Sequence, residues 1–257
     1  MLAVDPALVQ RLAVVLALLG SLGAVVALDA RRSALASALR RRLILGVPWG
    51  TLLTVAGVLS VYLFVQGGAT DWARPVTIPF RAWSYLYPLG VATASFSHNG
   101  PNHLLNNLVG TLALAPLVED AWGHSPRERG AHSFGSLREN PYARALAVPA
   151  AALVVGVLTS LVAVGPVIGF SGVVCAFAGV GLAVYPVRTV VALAAARVGA
   201  LALTALQSPV TVARAEPRFA SPWWADVAIQ GHAVGLLAGV LVGVWLGRRG
   251  FVDRPTP

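Results

Sequence analysis

Charge is what this sequence has least of. Only 11% of its 257 residues are charged and 57% are hydrophobic, where a soluble domain carries about 25% charged residues. That scarcity excludes a disordered chain and argues against an ordinary water-soluble enzyme. With a mean hydropathy of +0.74, what remains is a polytopic membrane protein. Cysteine is nearly absent as well. The single Cys175 excludes an internal disulfide and any multi-cysteine metal site. Lysine is missing altogether: all 19 basic residues are arginine, which reads as codon bias and carries no functional weight. Also missing are a His-Glu-x-x-His zinc motif, a pair of intramembrane aspartates, and the paired repeats that a transporter with broken helices would show.

The formal charge of +9 would point to nucleic acid in a soluble protein. Here the arginines sit in short clusters between apolar runs, the positive-inside pattern of a membrane protein, so nucleic acid is not an expected partner and the lipid bilayer is. A spanning helix needs about 20 mainly apolar residues. Seven stretches come near that, at roughly 8–28, 47–66, 101–118, 144–166, 169–186, 189–206 and 227–247. Arg31, Arg32 and Arg40 to Arg42 follow the first span. Arg127, Arg129, Arg138 and Arg144 separate the third from the fourth, Arg188 the fifth from the sixth, and Arg248, Arg249 and Arg254 follow the seventh. All of these fall on one side, which should be cytoplasmic. The N-terminus is then outside and the C-terminus inside a cell membrane. The first apolar run is followed, not preceded, by its arginine pair, so it reads as a retained anchor and not a leader.

The loops carry their own signals. Residues 67–97 hold Trp72, Pro75, Pro79, Phe80, Trp83, Tyr85 and Tyr87, a composition suited to the membrane interface. Residues 207–226 are external in this reading, with Trp223 and Trp224 close to the last span. Residues 119–143 form a polar cytoplasmic loop, in which His124 and His132 are expected to be solvated and not metal ligands. Arg197, about eight residues into the sixth span, either snorkels to the cytoplasmic side or pairs with Glu119 or Asp120.

Polar side chains within apolar spans are functional candidates because lipid does not solvate them. Three places qualify. His103 and Asn107 open the third span, four residues apart and so on one helix face; interhelical polar glue is the plain alternative. Ser171, in Gly169-Phe170-Ser171-Gly172, opens the fifth; a serine bonding back to its own helix is the plain alternative. Cys175, one turn later, reads as core. His232, in Gly231-His232-Ala233-Val234-Gly235, opens the seventh beside a stripe formed by Gly235, Gly239 and Gly243; a packed core histidine is the plain alternative. These three spans run the same way through the membrane. His103, Ser171 and His232 each lie within about six residues of the same boundary, roughly 10 Å at 1.5 Å per residue. A serine, a histidine and further donors at one depth match the needs of a serine hydrolase.

These residues resemble the rhomboid family of intramembrane serine proteases. The likeness rests on Thr93, Phe96, His98, His103-Leu104 and Asn107, then Glu119 and Gly123, then Gly169-x-Ser171-Gly172, and last Gly231-His232-x-x-Gly235-x-x-x-Gly239. The order and the alternate-span placement are those of the family. The likeness implies an all-α fold: a polytopic membrane helix bundle with a six-helix core over residues 46–250. An extra N-terminal transmembrane helix with its basic loop would occupy residues 1–45, and a tail residues 251–257. It implies Ser171 as nucleophile and His232 as general base, without an aspartate. His103, Asn107 and the Ser171 N–H would form the oxyanion hole. Gly169 and Gly172 would shape the backbone around Ser171, and Gly235 and Gly239 would bring the seventh span onto the fifth. The sixth span and residues 207–226 would be the gate and cap. Substrates would be transmembrane proteins cut near the external face, with no cofactor and no metal. A Trp-Arg pair that many members carry about nine residues before the position of His98 is missing here. The alternative is a catalytically inactive rhomboid-like protein that binds transmembrane clients.

Overall fold

The structure is a computed structural model that describes residues 42–76, 88–124, 139–162, 167–207 and 229–249, together with Leu16. Among these residues all regular structure is helical, with no strand. The helices are α1 (Trp49–Ser60), α2 (Pro88–Thr93), α3 (Pro101–Trp122), α4 (Pro141–Val162), α5 (Ser171–Val184), α6 (Pro186–Gln207) and α7 (Ile229–Arg248). By length and composition, α4 and α7 are able to cross a membrane; Trp49–Val65 and Ser171–Val184 are apolar but shorter. The first apolar run of the sequence apart from Leu16, residues 77–87 with their aromatics, the segment with Arg127 to Arg138 and His132, and the loop before α7 lie outside the described residues.

Local signals account for most boundaries. Pro101 occupies the first turn of α3, where its fixed φ suits a helix start and its missing N–H has no intrahelical partner to lose. The last turn of α1 widens into a π-helical turn at Val61–Val65, with Gln66 N–H donating to Val61 O at 2.9 Å. That extra residue re-aims the chain, and Gln66 ends fully buried. α3 runs past the expected end at 118 to Trp122, and α4 begins at Pro141.

The core gathers around α5. Phe170, Val173 and Phe177 pack with Val58 and Tyr62 of the first helix and its π turn, Leu104 and Leu108 of α3, and Val148 and Ala152 of α4. The residues that face outward, such as Val154, Val191 and Leu241, are large and apolar. An apolar exterior around an apolar core suits a bilayer solvent. α7 lies closest to α5. A Cβ on Gly235 would overlap the Gly172 carbonyl, and one on Gly239 the Ala176 carbonyl. Only glycine permits that approach, because nothing but hydrogen separates the two backbones.

At the opposite end from Ser171, polar groups bind the helices together. The Glu119 carboxylate accepts from Gly50 N–H (2.6 Å), Thr51 N–H (2.8 Å), Thr51 Oγ1 (2.8 Å) and His124 Nε2 (2.6 Å). It thereby caps the start of α1 from the end of α3, supplying an acceptor to N–H groups that no intrahelical carbonyl reaches. His124 Nδ1 accepts from Ile44 N–H at 3.1 Å, so its proton sits on Nε2 and points at Glu119. This corrects the expectation of a solvated loop histidine: His124 is fully buried, because a carboxylate and a backbone N–H together satisfy both ring nitrogens.

Arg144, which the sequence places between the third and fourth spans, lies in the first turn of α4 and is buried. It donates to Gly123 O at 2.8 Å and Trp122 O at 2.5 Å, and its guanidinium stacks 4.0 Å from the Trp122 ring. These bonds satisfy carbonyls that the end of α3 leaves open. Asp120 accepts from Tyr185 Oη at 3.0 Å and lies 3.8 Å from Arg42 Nε. Burial and the facing Asp120 carboxylate push the Tyr185 hydroxyl up to about 12, so it stays a donor at neutral pH. Neither acid pairs with Arg197. That residue is exposed on α6, about 200° around the helix from Gly199, which meets Val109 of α3.

Candidate active site

Two neighbours hold the chain before α5. Gly169 N–H donates to Ala94 O at 2.9 Å, and the fully buried Phe170 ring packs at 5.5 Å from Phe96 and 6.5 Å from Phe177. Ser171 follows as the first residue of α5. The N–H groups of Ser171 and Gly172 precede the first bonds of the helix, which Val173 and Val174 make to Phe170 O at 3.0 and 3.1 Å, and the helix dipole makes this end positive. α5 has 14 residues, about 21 Å at 1.5 Å per residue. Measured up from the Asp120–Tyr185 bond, the same rise along α3 arrives at its His103–Asn107 turn. A short central helix thus sets Ser171 level with those two side chains and below the ends of longer neighbours.

His232 comes from the first turn of α7. Its Nε2 lies 2.7 Å from Ser171 Oγ, a short hydrogen bond well inside the range for O–H to nitrogen. Gly235, one turn on, and Gly239, two turns on, press α7 onto α5 at Gly172 and Ala176. Gly172 in turn leaves space only for Thr159 of α4, whose nearest atom would be 3.0 Å from a Cβ there.

The other two polar side chains converge on Gly169. Its φ of +109° belongs to a region that side chains rarely adopt. A Cβ there would run into the His103 ring and lie 3.5 Å from Asn107 Nδ2. Asn107 is buried and its Nδ2 has no partner among the described residues; an unpaired buried donor is costly and calls for an explanation, such as a ligand that uses it. His103 Nδ1 lies 2.9 Å from Asn99 Oδ1. Ser171, His232, His103 and Asn107 therefore gather at one end of the bundle, with Gly169, Gly172, Gly235 and Gly239 as the points of close contact between them. Cys175, one turn below Ser171, is part-buried and takes no part.

Two residues of this region escaped the sequence reading. Gln66 clamps the backbone before α3 from both sides: its Nε2 donates to His98 O at 2.7 Å and Val76 O at 3.0 Å, and its Oε1 accepts from His98 N–H at 2.9 Å. One polar residue ending an otherwise apolar span was its only signal. Asn99 sits four residues before His103, a spacing that would have flagged it. His98 donates through Nδ1 to Phe96 O at 3.2 Å. Burial, aided by His103, pushes the His98 imidazole down to about 3, so it is neutral and adds no charge to the site.

A helical protein of apolar exterior, with a hydroxyl and an imidazole paired in a recess among its helices, belongs to a narrow class of membrane proteins. A model of the rhomboid domain matches residues 85–249, and the chain belongs to the rhomboid family. That family consists generally of intramembrane serine proteases, with inactive relatives. Neither curated proteins nor solved structures give a match.

Proposed function

We propose that this protein is an intramembrane serine endopeptidase that cleaves transmembrane segments of other proteins. The observation that carries the reading is the 2.7 Å contact between Ser171 Oγ and His232 Nε2. His232 takes the Ser171 proton as the oxygen attacks a substrate carbonyl, and returns it to the leaving amine. The oxyanion forms near Gly169, where the first-turn N–H of Ser171, the His103 ring and the unpartnered Asn107 Nδ2 converge; one such donor is worth about 3–4 kcal/mol. Water then hydrolyses the acyl-enzyme. The step needs no cofactor. The core spans residues 46–250, with a further transmembrane helix before it. The Ser171 end faces outward and the arginine-bearing end the cytoplasm, so cuts fall near the external face of the substrate helix. Substrate segments with small or helix-breaking residues suit it best, since a helical backbone hides its carbonyls.

A serine-directed fluorophosphonate tests the pair without knowledge of the substrate. The detergent-solubilised protein should be labelled at Ser171, mapped by mass spectrometry, and the label should vanish in Ser171→Ala. A folded wild-type protein that takes no label would instead be an inactive relative that binds clients.

The α5–α7 contact offers a second test. In Gly235→Ala the new methyl meets the Gly172 carbonyl, which cannot rotate away, so α7 must retreat and carry His232 with it. A displacement of about 1 Å costs about 10²-fold in rate, and overpacking about 1–3 kcal/mol in stability. Cleavage of a transmembrane reporter in liposomes, beside a thermal melt, measures both. Unchanged turnover would mean that the two helices need not touch there for the dyad to form.

A further inference from the structure

The proton on His103 has to be on the right nitrogen, and one side chain decides which. Its Nδ1 faces Asn99 Oδ1 at 2.9 Å, while its Nε2 edge lies against Gly169 beside Asn107 Nδ2. An amide oxygen only accepts. With Oδ1 in place, a neutral His103 keeps its proton on Nδ1 and turns a bare lone pair toward Gly169, where a negative oxygen would be repelled. A half-turn of the Asn99 amide keeps every heavy-atom contact and exchanges acceptor for donor. Nδ2–H then donates to Nδ1, and Nε2–H faces Gly169. Asparagine is suited to this because one side chain offers both ends.

Resting on the protease reading above, we propose that Asn99 is a positioning residue that sets the tautomer of His103, its amide donating to Nδ1 so that Nε2–H reaches the oxyanion. Asn99 is exposed and lies outside α3, so replacing it leaves the fold intact. Two other titratable groups face His103: the His98 ring at 5.1 Å and His232 of α7. His98 is neutral over the working range. His232 is coupled to His103 by charge, so the charged His103 of Asn99→Asp also moves the acid limb, and the diagnostic feature is the alkaline limb.

Asn99→Asp separates this role from packing. A carboxylate cannot donate, so Nδ1 must carry the proton, and Nε2–H exists only on the doubly protonated ring. That form is lost as pH rises. The variant should therefore gain an alkaline limb in kcat that the wild type lacks, with KM within about twofold. Asn99→Ala should lose about tenfold in kcat at all pH values, less than the roughly 10⁴ seen where a buried carboxylate fixes a catalytic tautomer. Long-range ¹H–¹⁵N correlation on histidine-labelled, phosphonylated protein reads the tautomer directly. The expected result is a protonated Nε2 and a bare Nδ1 for His103 in the wild type. A protonated Nδ1 there, or a wild-type pH profile in Asn99→Asp, would overturn the inference alone. Failure of the wild-type protein to take the phosphonate would overturn it together with the protease reading.

Discussion

Ser171→Ala is expected to abolish cleavage of a transmembrane reporter in liposomes, and His232→Ala to do nearly the same. Residual rates should sit about 10³-fold or more below the wild type, as when a nucleophile or its base is removed from a working pair. The reason lies in the 2.7 Å contact. A serine hydroxyl is a weak nucleophile until a base takes its proton, and His232 is useless as a base without a hydroxyl to serve. Residues that act as a unit are not additive, so the double variant should be no slower than either single one. Independent contributions would instead multiply. A double variant slower than Ser171→Ala by the full His232→Ala factor would mean that His232 acts elsewhere than through Ser171. Both singles should melt with the wild type, because Ser171 and His232 are part-buried and neither fills the core.

The end of the bundle that carries Ser171 was readable from sequence because its signals are local. Pro101 starts α3, His103 and Asn107 share a face at a spacing of four, and Gly235 and Gly239 repeat by four on α7. Each follows from helix periodicity alone. Running the three helices in one direction was enough to set Ser171, His103 and His232 at a common depth. The length of α5 was less readable. An apolar window of about 20 residues overruns it on both sides, since the apolar loop before Ser171 and Tyr185-Pro186 after Val184 continue the hydropathy without continuing the helix. The opposite end was hardly readable at all. Glu119 meets Thr51 across 68 positions and His124 meets Ile44 across 80, and no period in the chain announces either. Polar residues between apolar spans look solvated until the fold supplies partners. Sequence alone therefore places His124 and Arg144 in a solvated loop, and pairs Arg197 with acids that other donors occupy.

Glu119→Ala should be the most destabilising single change away from the Ser171 pair. Four donors end on its carboxylate, two of them backbone N–H groups at the start of α1. Truncation strands those N–H groups and the His124 Nε2–H in a site with no exposure. Each stranded buried donor costs about 1–3 kcal/mol. Breaking a buried charge-assisted cluster of this kind costs about 3–5 kcal/mol in all, a large share of the 5–15 kcal/mol typical of a domain. Glu119→Gln separates charge from shape. Its amide keeps the size but turns one NH₂ toward a donor: toward Gly50 N–H and His124, or toward Thr51 N–H. Thr51 Oγ1 can rotate to accept, but a backbone N–H cannot, so glutamine still loses about 1–3 kcal/mol. Thermal or denaturant unfolding in one detergent, wild type beside both variants, gives the order wild type, Gln, Ala. Equal stability of Ala and wild type would mean that α1 holds its place by lipid and apolar packing alone. The link from this end to the chemistry runs through α1: the same helix that Glu119 caps ends at Gln66, whose amide holds the backbone of His98 five residues before His103. Activity in Glu119→Gln should therefore fall in step with loss of fold on warming, and match the wild type at temperatures where both remain folded.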